Sequence, residues 1–161
     1  MIDKQVKEAK GLEELTGQGI EMDEMWHYIQ NKDDKCWVWL CICKVTKLIF
    51  GFVTGSRGYK TGKLLYQKLL SISGLITAFT IFYTDWWESY TRFIPPHQHY
   101  QGKDQTYTME GYNSNFRDDL QRFTRKTKAY SKSKDLLDNT LSIYIHSHNE
   151  KKLSKLRLLK G

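Results

Sequence analysis

The stretch EMDEMWHYIQNKDDKCWVWLCICKVTKLIFGFVT, residues 21–54, holds three runs rich in Trp, Val, Ile and Phe, at 21–29, 36–45 and 48–54. The turn-like segments NKDDK and VTK separate them, and this alternation predicts an antiparallel meander of three strands. The middle run, CWVWLCIC, is apolar on both faces, as a strand covered from both sides should be.

Downstream the period changes. Residues 60–71 carry Leu64, Leu65, Leu69 and Leu70 at helical spacing, with Lys63 and Lys68 left to face solvent, which predicts a crossover helix. It leads into ITAFTIFYTD, residues 76–85, an apolar run long enough for a buried strand that stops at Asp85. The segment WWESYTRFI then reads as a helix broken by Pro95 and Pro96, and the polar residues 97–108 read as a loop. Two terminal helices follow. One starts at Glu110 and runs to about residue 125 with Tyr112, Phe116, Leu120 and Phe123 as its apolar stripe; the other covers about 134–148 with Leu137, Leu141 and Tyr144. The order predicts an α/β domain of the ribonuclease H-like type, a mixed sheet with a three-strand meander, a crossover helix, a fourth strand parallel to the first, and C-terminal helices. Residues 1–20, interrupted by Gly11, Gly17 and Gly19, read as a short polar leader, residues 21–150 as the domain, and residues 151–161 as a basic tail.

Composition narrows the function classes. A chain of 161 residues, 40% hydrophobic and 14% aromatic, builds one core and one site more readily than two. No apolar run is long enough to span a bilayer, and the charged start MIDKQVKEAKGLEEL is not a secretion signal, so a cytoplasmic protein is expected. The three cysteines, Cys36, Cys41 and Cys43, crowd one strand without a second pair to complete a zinc site, and read as reduced core thiols. The formal charge of +7 is unevenly placed: residues 1–110 hold 13 basic and 13 acidic side chains, residues 111–161 hold 12 and 5. A basic region beside a neutral domain suits a polyanion; a solvated cationic helix face is the competing account.

Three acids carry the chemistry. In the expected topology the first and fourth strands are neighbours, about 4.8 Å apart, so Asp23 and Asp85 fall side by side while Glu110 heads a later helix. Such a trio of hard oxygen donors brackets two Mg²⁺ or Mn²⁺ ions in enzymes that cut phosphodiesters. An isolated Asp after a strand is more commonly a turn residue, and Glu21 and Glu24 compete with Asp23; Glu21 shares its face, Glu24 points the other way. Asn113 and Arg117, three and seven residues beyond Glu110, share the Glu110 face of the helix, opposite the apolar stripe, and are suited to orienting the Glu and clamping a phosphate.

These motifs resemble the insertion sequence 1 family of transposases, in the DDE superfamily with a ribonuclease H-like fold. The resemblance is carried by EMDEMW at 21–26, KCWVWLCI at 35–42, FYTDWWESYTRFIP at 82–95 and TYTMEGYNSNFRDDLQRFTRKTKAYSKS at 106–133, with 24 residues between Asp85 and Glu110. It implies an enzyme that cuts insertion-sequence ends to free a 3′-hydroxyl and joins that hydroxyl to target DNA, with Mg²⁺ or Mn²⁺, two ions in all, on Asp23, Asp85 and Glu110. It further implies a DNA path along Arg122, Arg125, Lys126, Lys128, Lys132 and Lys134, with Tyr130 beside it, and a place for His99 in positioning the scissile phosphate. A homo-oligomer, a nucleoid location, and a zinc-ribbon and helix-turn-helix partner from an upstream frame come with the same resemblance. Cys43 stands where relatives often have Asp, and Gly111 where many have Arg. The alternative is a non-catalytic or degenerate DNA-binding fragment that interferes with a complete transposase.

Overall fold

A computed structural model describes residues 4–5, 19–72, 74–120, 123 and 130–158 of the chain. The strands are β1 (Gly19–Tyr28), β2 (Lys35–Cys43), β3 (Ile49–Gly55), β4 (Ile81–Thr84) and β5 (His99–Gln101); the helices are α1 (Tyr59–Ser71), α2 (Tyr107–Asp119) and α3 (Lys134–Leu158). One sheet runs β3-β2-β1-β4-β5. The first three strands are an antiparallel meander, β4 lies parallel beside β1, and β5 parallel beside β4. This is the mixed sheet that the residue pattern predicts.

Alternation assigns the faces. Ile20, Met22 and Glu24 point to one side of β1, where Tyr66 of α1 meets the ring of Phe82 and Tyr90 meets Trp39. Glu21, Asp23, Met25 and His27 point to the other, beneath α2, whose Met109 and Asn113 bond to Glu21 and Asp23. α3 lies along β3. Thr54 Oγ1 donates to Asp138 Oδ1 at 2.5 Å, and the buried Asn149 amide pairs with both the N–H and the carbonyl of Ile49 at 3.0 and 2.9 Å, blunting that sheet edge. The core buries Trp39, Leu40, Phe50, Phe82, Phe116, Leu141 and Ile145 completely or nearly so.

Several boundaries differ from the sequence expectation for local reasons. The apolar run from Ile76 is strand only from Ile81, because the Thr77 and Thr80 hydroxyls take over backbone partners: Thr80 Oγ1 accepts Thr77 N–H and Thr77 Oγ1 accepts Phe79 N–H. Phe79 is consequently 87% exposed. Segment 86–94 forms only the short 3₁₀ turn Glu88–Arg92, and the expected loop at 97–108 contains β5, an edge strand too short to show a pattern. On α1, Leu64 and Leu70 stay outside, and the buried side is Thr61, Gly62, Leu65, Tyr66 and Leu69. α3 passes unbroken through position 151 to Leu158, its stripe Leu137, Leu141, Ile145, Asn149, Leu153 being masked in the sequence by the polar Asn149.

All three cysteines are free and buried; burial pushes the Cys41 thiol up to about 12, so it stays protonated. Among the described residues no helix is long and apolar enough to cross a membrane.

Two glycines on helices behave oppositely. A Cβ at Gly62 would come within 2.7 Å of Trp39 and 2.8 Å of Phe93, whereas one at Gly111 meets nothing within 4 Å. Removing a helical glycine contributes up to about 1 kcal/mol, but forcing atoms against buried rings costs about 1–3 kcal/mol. Gly62→Ala is expected to lower the midpoint of thermal unfolding and Gly111→Ala to raise it, as read by circular dichroism; a stabilised Gly62→Ala chain would refute the packing of α1 on Trp39.

Candidate active site

The parallel register pairs Glu21 with Tyr83, two residues before Asp23 and Asp85 respectively; β4 ends at Thr84, so Asp85 is the first residue past it, and its charge acts on Asp23. Asp23 sits in mid-strand, opposite Leu40 of β2. Its Oδ1 accepts the Glu24 N–H at 2.8 Å and its Oδ2 accepts Asn113 Nδ2 at 2.6 Å. Burial, followed by the charges of Glu24 and Asp85, pushes the Asp23 carboxyl up to about 7; the two hydrogen bonds pull it back only in part. Asp85 is half-buried, and its Oδ1 accepts the Trp87 N–H at 2.9 Å, an Asx turn that fixes the chain as it leaves β4.

Glu110 lies in the first turn of α2, exposed. The helix starts three residues earlier than the sequence suggests because β1 caps it: Glu21, fully buried, accepts the Met109 N–H through Oε2 at 2.9 Å. Asn113, one turn on, belongs to the buried side of α2 with Met109 and Phe116, so it is not on a face opposed to the apolar stripe, and its amide orients Asp23. Arg117 is half-buried, one turn further along. The helix thus holds the Glu110 backbone between two anchors on β1.

On the opposite face, Glu24 accepts Arg57 Nε and NH2 on Oε1 at 3.0 and 2.9 Å and the Tyr90 hydroxyl on Oε2 at 2.8 Å. The Arg57 guanidinium lies between Trp37 and Trp87, 4.5 and 4.0 Å from their centroids. Burial raises the Glu24 carboxyl, these hydrogen bonds counter it, and the Asp85 charge adds to it. Sequence reasoning missed this clamp, since nothing in GSRG marks Arg57 as a partner for a residue 33 positions away. His99 falls on this face too: it pairs with Phe82, its Nε2 contacts Thr84 Oγ1 at 2.8 Å, and burial lowers its pKa. The structure does not bring it to the face of Asp23 and Asp85.

The basic run re-emerges at the C-terminal end of β1. Ser131 bridges Ile29 in parallel, its N–H donates to His27 Nε2 at 3.2 Å, and Tyr130 meets the Tyr28 ring edge-on. Lys132 is exposed there, its carbonyl accepting from Gln30. Arg122, Arg125, Lys126 and Lys128 lie outside the described residues.

The Asp85 charge reaches Asp23 and Glu110 is exposed; no group of three His, Cys, Asp or Glu among the described residues is gathered closely enough to hold a metal ion. The donor set nevertheless fits a hard divalent cation. It is all oxygen, the Asp23 carboxylate lacks a counter-charge, and Asn113 Oδ1 is buried without a hydrogen-bond partner.

Comparison with known proteins bears on this arrangement. A family model described as IS1 transposase matches residues 18–151. The chain is similar to the iso-IS1n protein InsB of Shigella dysenteriae, 28% identical over 80% of this chain and 94% of that one. It is also similar to the IS1 4 protein InsB of Escherichia coli (strain K12), 32% identical over 78% of this chain and 72% of that one. In fold it resembles a chain in the crystal structure of a pre-cleavage Mos1 transpososome, with a TM-score of 0.54 at 9% identity; 95% of this chain is covered but only 59% of that one.

The charge state of Asp23 gives a direct test. Its ordinary pKa is 3.8 and its folded value about 7, so the folded state holds the proton more tightly. Below about pH 4 both states are protonated and no penalty exists; the penalty grows as pH rises and is complete above about 7. Asp23→Asn removes it. The variant should therefore exceed the parent chain in metal-free thermal stability by a margin that widens from pH 4 to pH 7, at about 2–4 °C per kcal/mol for a chain of this size. A margin independent of pH would contradict a buried, uncompensated Asp23.

Proposed function

The chain belongs to the IS1 transposase family, and on that ground, joined to the geometry of the acids, we propose that it is a DNA transposase catalytic domain acting through Asp23, Asp85 and Glu110. The observation that carries the proposal is Asp23 in mid-strand on β1 beside the parallel β4 that ends just before Asp85, with Asp23 pushed up to about 7 by burial and by the Glu24 and Asp85 charges, and α2 docked against it by Asn113.

Two reactions are proposed. In cleavage, the oxygen of a water attacks the phosphorus at the insertion-sequence end in line with the departing 3′-oxygen; the P–O3′ bond breaks and the 3′-hydroxyl is released. In strand transfer, that 3′-oxygen attacks a phosphorus of target DNA, forming one P–O bond as another breaks. DDE transposases generally use divalent metal, and two Mg²⁺ or Mn²⁺ ions, when bound by Asp23, Asp85 and Glu110, supply the Lewis acidity that deprotonates the nucleophile and stabilises the leaving oxygen. Asn113 holds the Asp23 carboxylate in its rotamer, and the α2 backbone sets the distance of Glu110 from it. Arg117, one turn beyond Asn113, is assigned to a phosphate, and Lys132 with Arg122, Arg125, Lys126 and Lys128 to the DNA path past the end of β1. His99, on the opposite face, is assigned no contact with the scissile phosphate. A homo-oligomer and an N-terminal end-recognition module from an upstream frame complete the proposal. So does a place on the nucleoid.

A second reading, a DNA-binding chain without catalysis, draws on one observation: among the described residues no three acids are gathered closely enough to hold a metal ion. The experiment separates the two. The chain, alone and fused to its upstream frame, is incubated with duplexes carrying its own element's ends and Mg²⁺ or Mn²⁺. Cleavage and joining are expected, and Asp85→Asn or Glu110→Gln should lower both by more than the 10–100-fold that loss of an outer-shell partner costs. Mg²⁺ should also raise the thermal midpoint of the parent chain and leave Asp23→Asn unmoved. Absence of strand cleavage from either form, with DNA binding intact, would replace the catalytic reading by the second one.

A further inference from the structure

α2 has a second side. Taking 100° per residue, Glu110, Asn113 and Arg117 fall within one 60° sector, and Tyr112, Asn115 and Asp119 fall within another about half a turn away. The second sector forms one wall of a cleft of about 480 Å³ whose other wall is α3, with Tyr144, His148, Lys151, Lys152 and Lys155. We propose that this cleft binds a second stretch of DNA phosphodiester backbone, without sequence preference, on the side of α2 turned away from the acids. The inference rests on the transposase reading, since joining one DNA to another requires that two be held.

Three lysines face one carboxylate in the cleft. The ion pairs among the described residues join Arg57 to Glu24, Arg92 to Glu88 and Lys134 to Asp138, and none uses Lys151, Lys152 or Lys155. The one carboxylate on the cleft wall, Asp119, accepts the Tyr144 hydroxyl at 2.5 Å. His148 lies edge-on to Tyr112 and bonds through Nε2 to the Lys47 carbonyl at 3.0 Å. Burial, with Lys152 and Lys151 adding to it, lowers its pKa and leaves it neutral, so the positive charge belongs to the lysines.

The dipole of α3 accounts for Lys155, in its last turn, but not for the other two. Stabilisation of cations by a helix C-terminus falls off within the last turn, whereas Lys151 and Lys152 stand more than a turn and a half before Leu158. The three sit at spacings of three and four along ~6 Å of axis, about the rise between neighbouring phosphates over two steps of one strand. Tyr112 and Asn115 on α2 supply hydrogen-bonding and flat apolar surface opposite them, and Tyr144 lies on their own wall.

The test is fluorescence anisotropy of the 161-residue chain with two labelled duplexes, one bearing the element's end and one unrelated, over a salt series. Lys151→Gln, Lys152→Gln and Lys155→Gln combined should weaken binding about tenfold or more at low salt, and reduce the slope of log affinity against log salt by about 2–3. Single Lys151→Gln and Lys155→Gln chains, with thermal midpoints confirmed near the parent's, should each reduce the slope by about 1. Equal losses on both duplexes support a backbone track without sequence preference; a loss confined to one duplex would overturn it. Unchanged affinity and slope on both, or no binding to either by the parent chain, overturns the proposal. Lysine-dependent binding that persists in a chain without metal-dependent cleavage would sink the catalytic reading and leave this cleft standing.

Discussion

The burial of the Asp23 carboxylate in the central strand, within range of the Glu24 and Asp85 charges, is the constraint on which the rest of the site depends. A charge taken out of water without a partner is costly, and placing like charges beside it adds to the cost. The fold offsets this on both faces of the sheet. Above, the Asn113 amide donates to Asp23; below, Arg57 and Tyr90 hold Glu24, and Trp37 and Trp87 hold Arg57 in turn. These contacts fix the geometry of the acids without neutralising Asp23, which is the condition in which a carboxylate pair has most to gain from a cation.

The same strand sets the position of α2. Glu21 receives an N–H from the helix's first turn, and Asp23, two residues on, receives the amide of Asn113. Two carboxylates of β1 therefore determine where the helix lies, and Glu110 between these anchors has its backbone placed by β1. Its side chain remains in solvent, which follows from the electrostatics: a third carboxylate approaching Asp23 and Asp85 would push Asp23 further from its ordinary range and lose hydration as well.

Much of the fold was legible in the sequence. The meander showed as three β-rich runs with turn segments between them, and the crossover helix as a change of period, because both depend on local alternation. The position of Asp23 beside Asp85 was legible too, since it follows from topology once β1 and β4 are neighbours. What stayed hidden depends on long-range partners. The start of α2 is decided by Glu21, 88 residues away, the role of Asn113 by Asp23, 90 away, and the length of α3 by an asparagine that serves the edge of β3. A strand of three residues such as β5 has no period to read, and the Thr77 and Thr80 hydroxyls ended β4 early by competing for its backbone.

The position of α2 also explains why a near-neutral sheet region and a basic C-terminal third coexist without cancelling. Side chains on opposite sides of an α-helix point away from each other and meet different surroundings, so one helix docks Asn113 on Asp23 and lines a lysine cleft with Tyr112 and Asn115. If the lysines faced the acids, they would pair with Asp23 and Asp85 and supply the counter-charge that a cation would otherwise bring. Keeping them behind α2 leaves the carboxylates uncompensated. Among the described residues after α2, Phe123 stacks on His27 of β1, and Ser131 bridges Ile29 past the end of that strand, six residues beyond Asp23. The separation of charge along this helix is thus a property of the fold, set by the Glu21 cap and the Asn113 amide that fix which side of α2 faces the sheet.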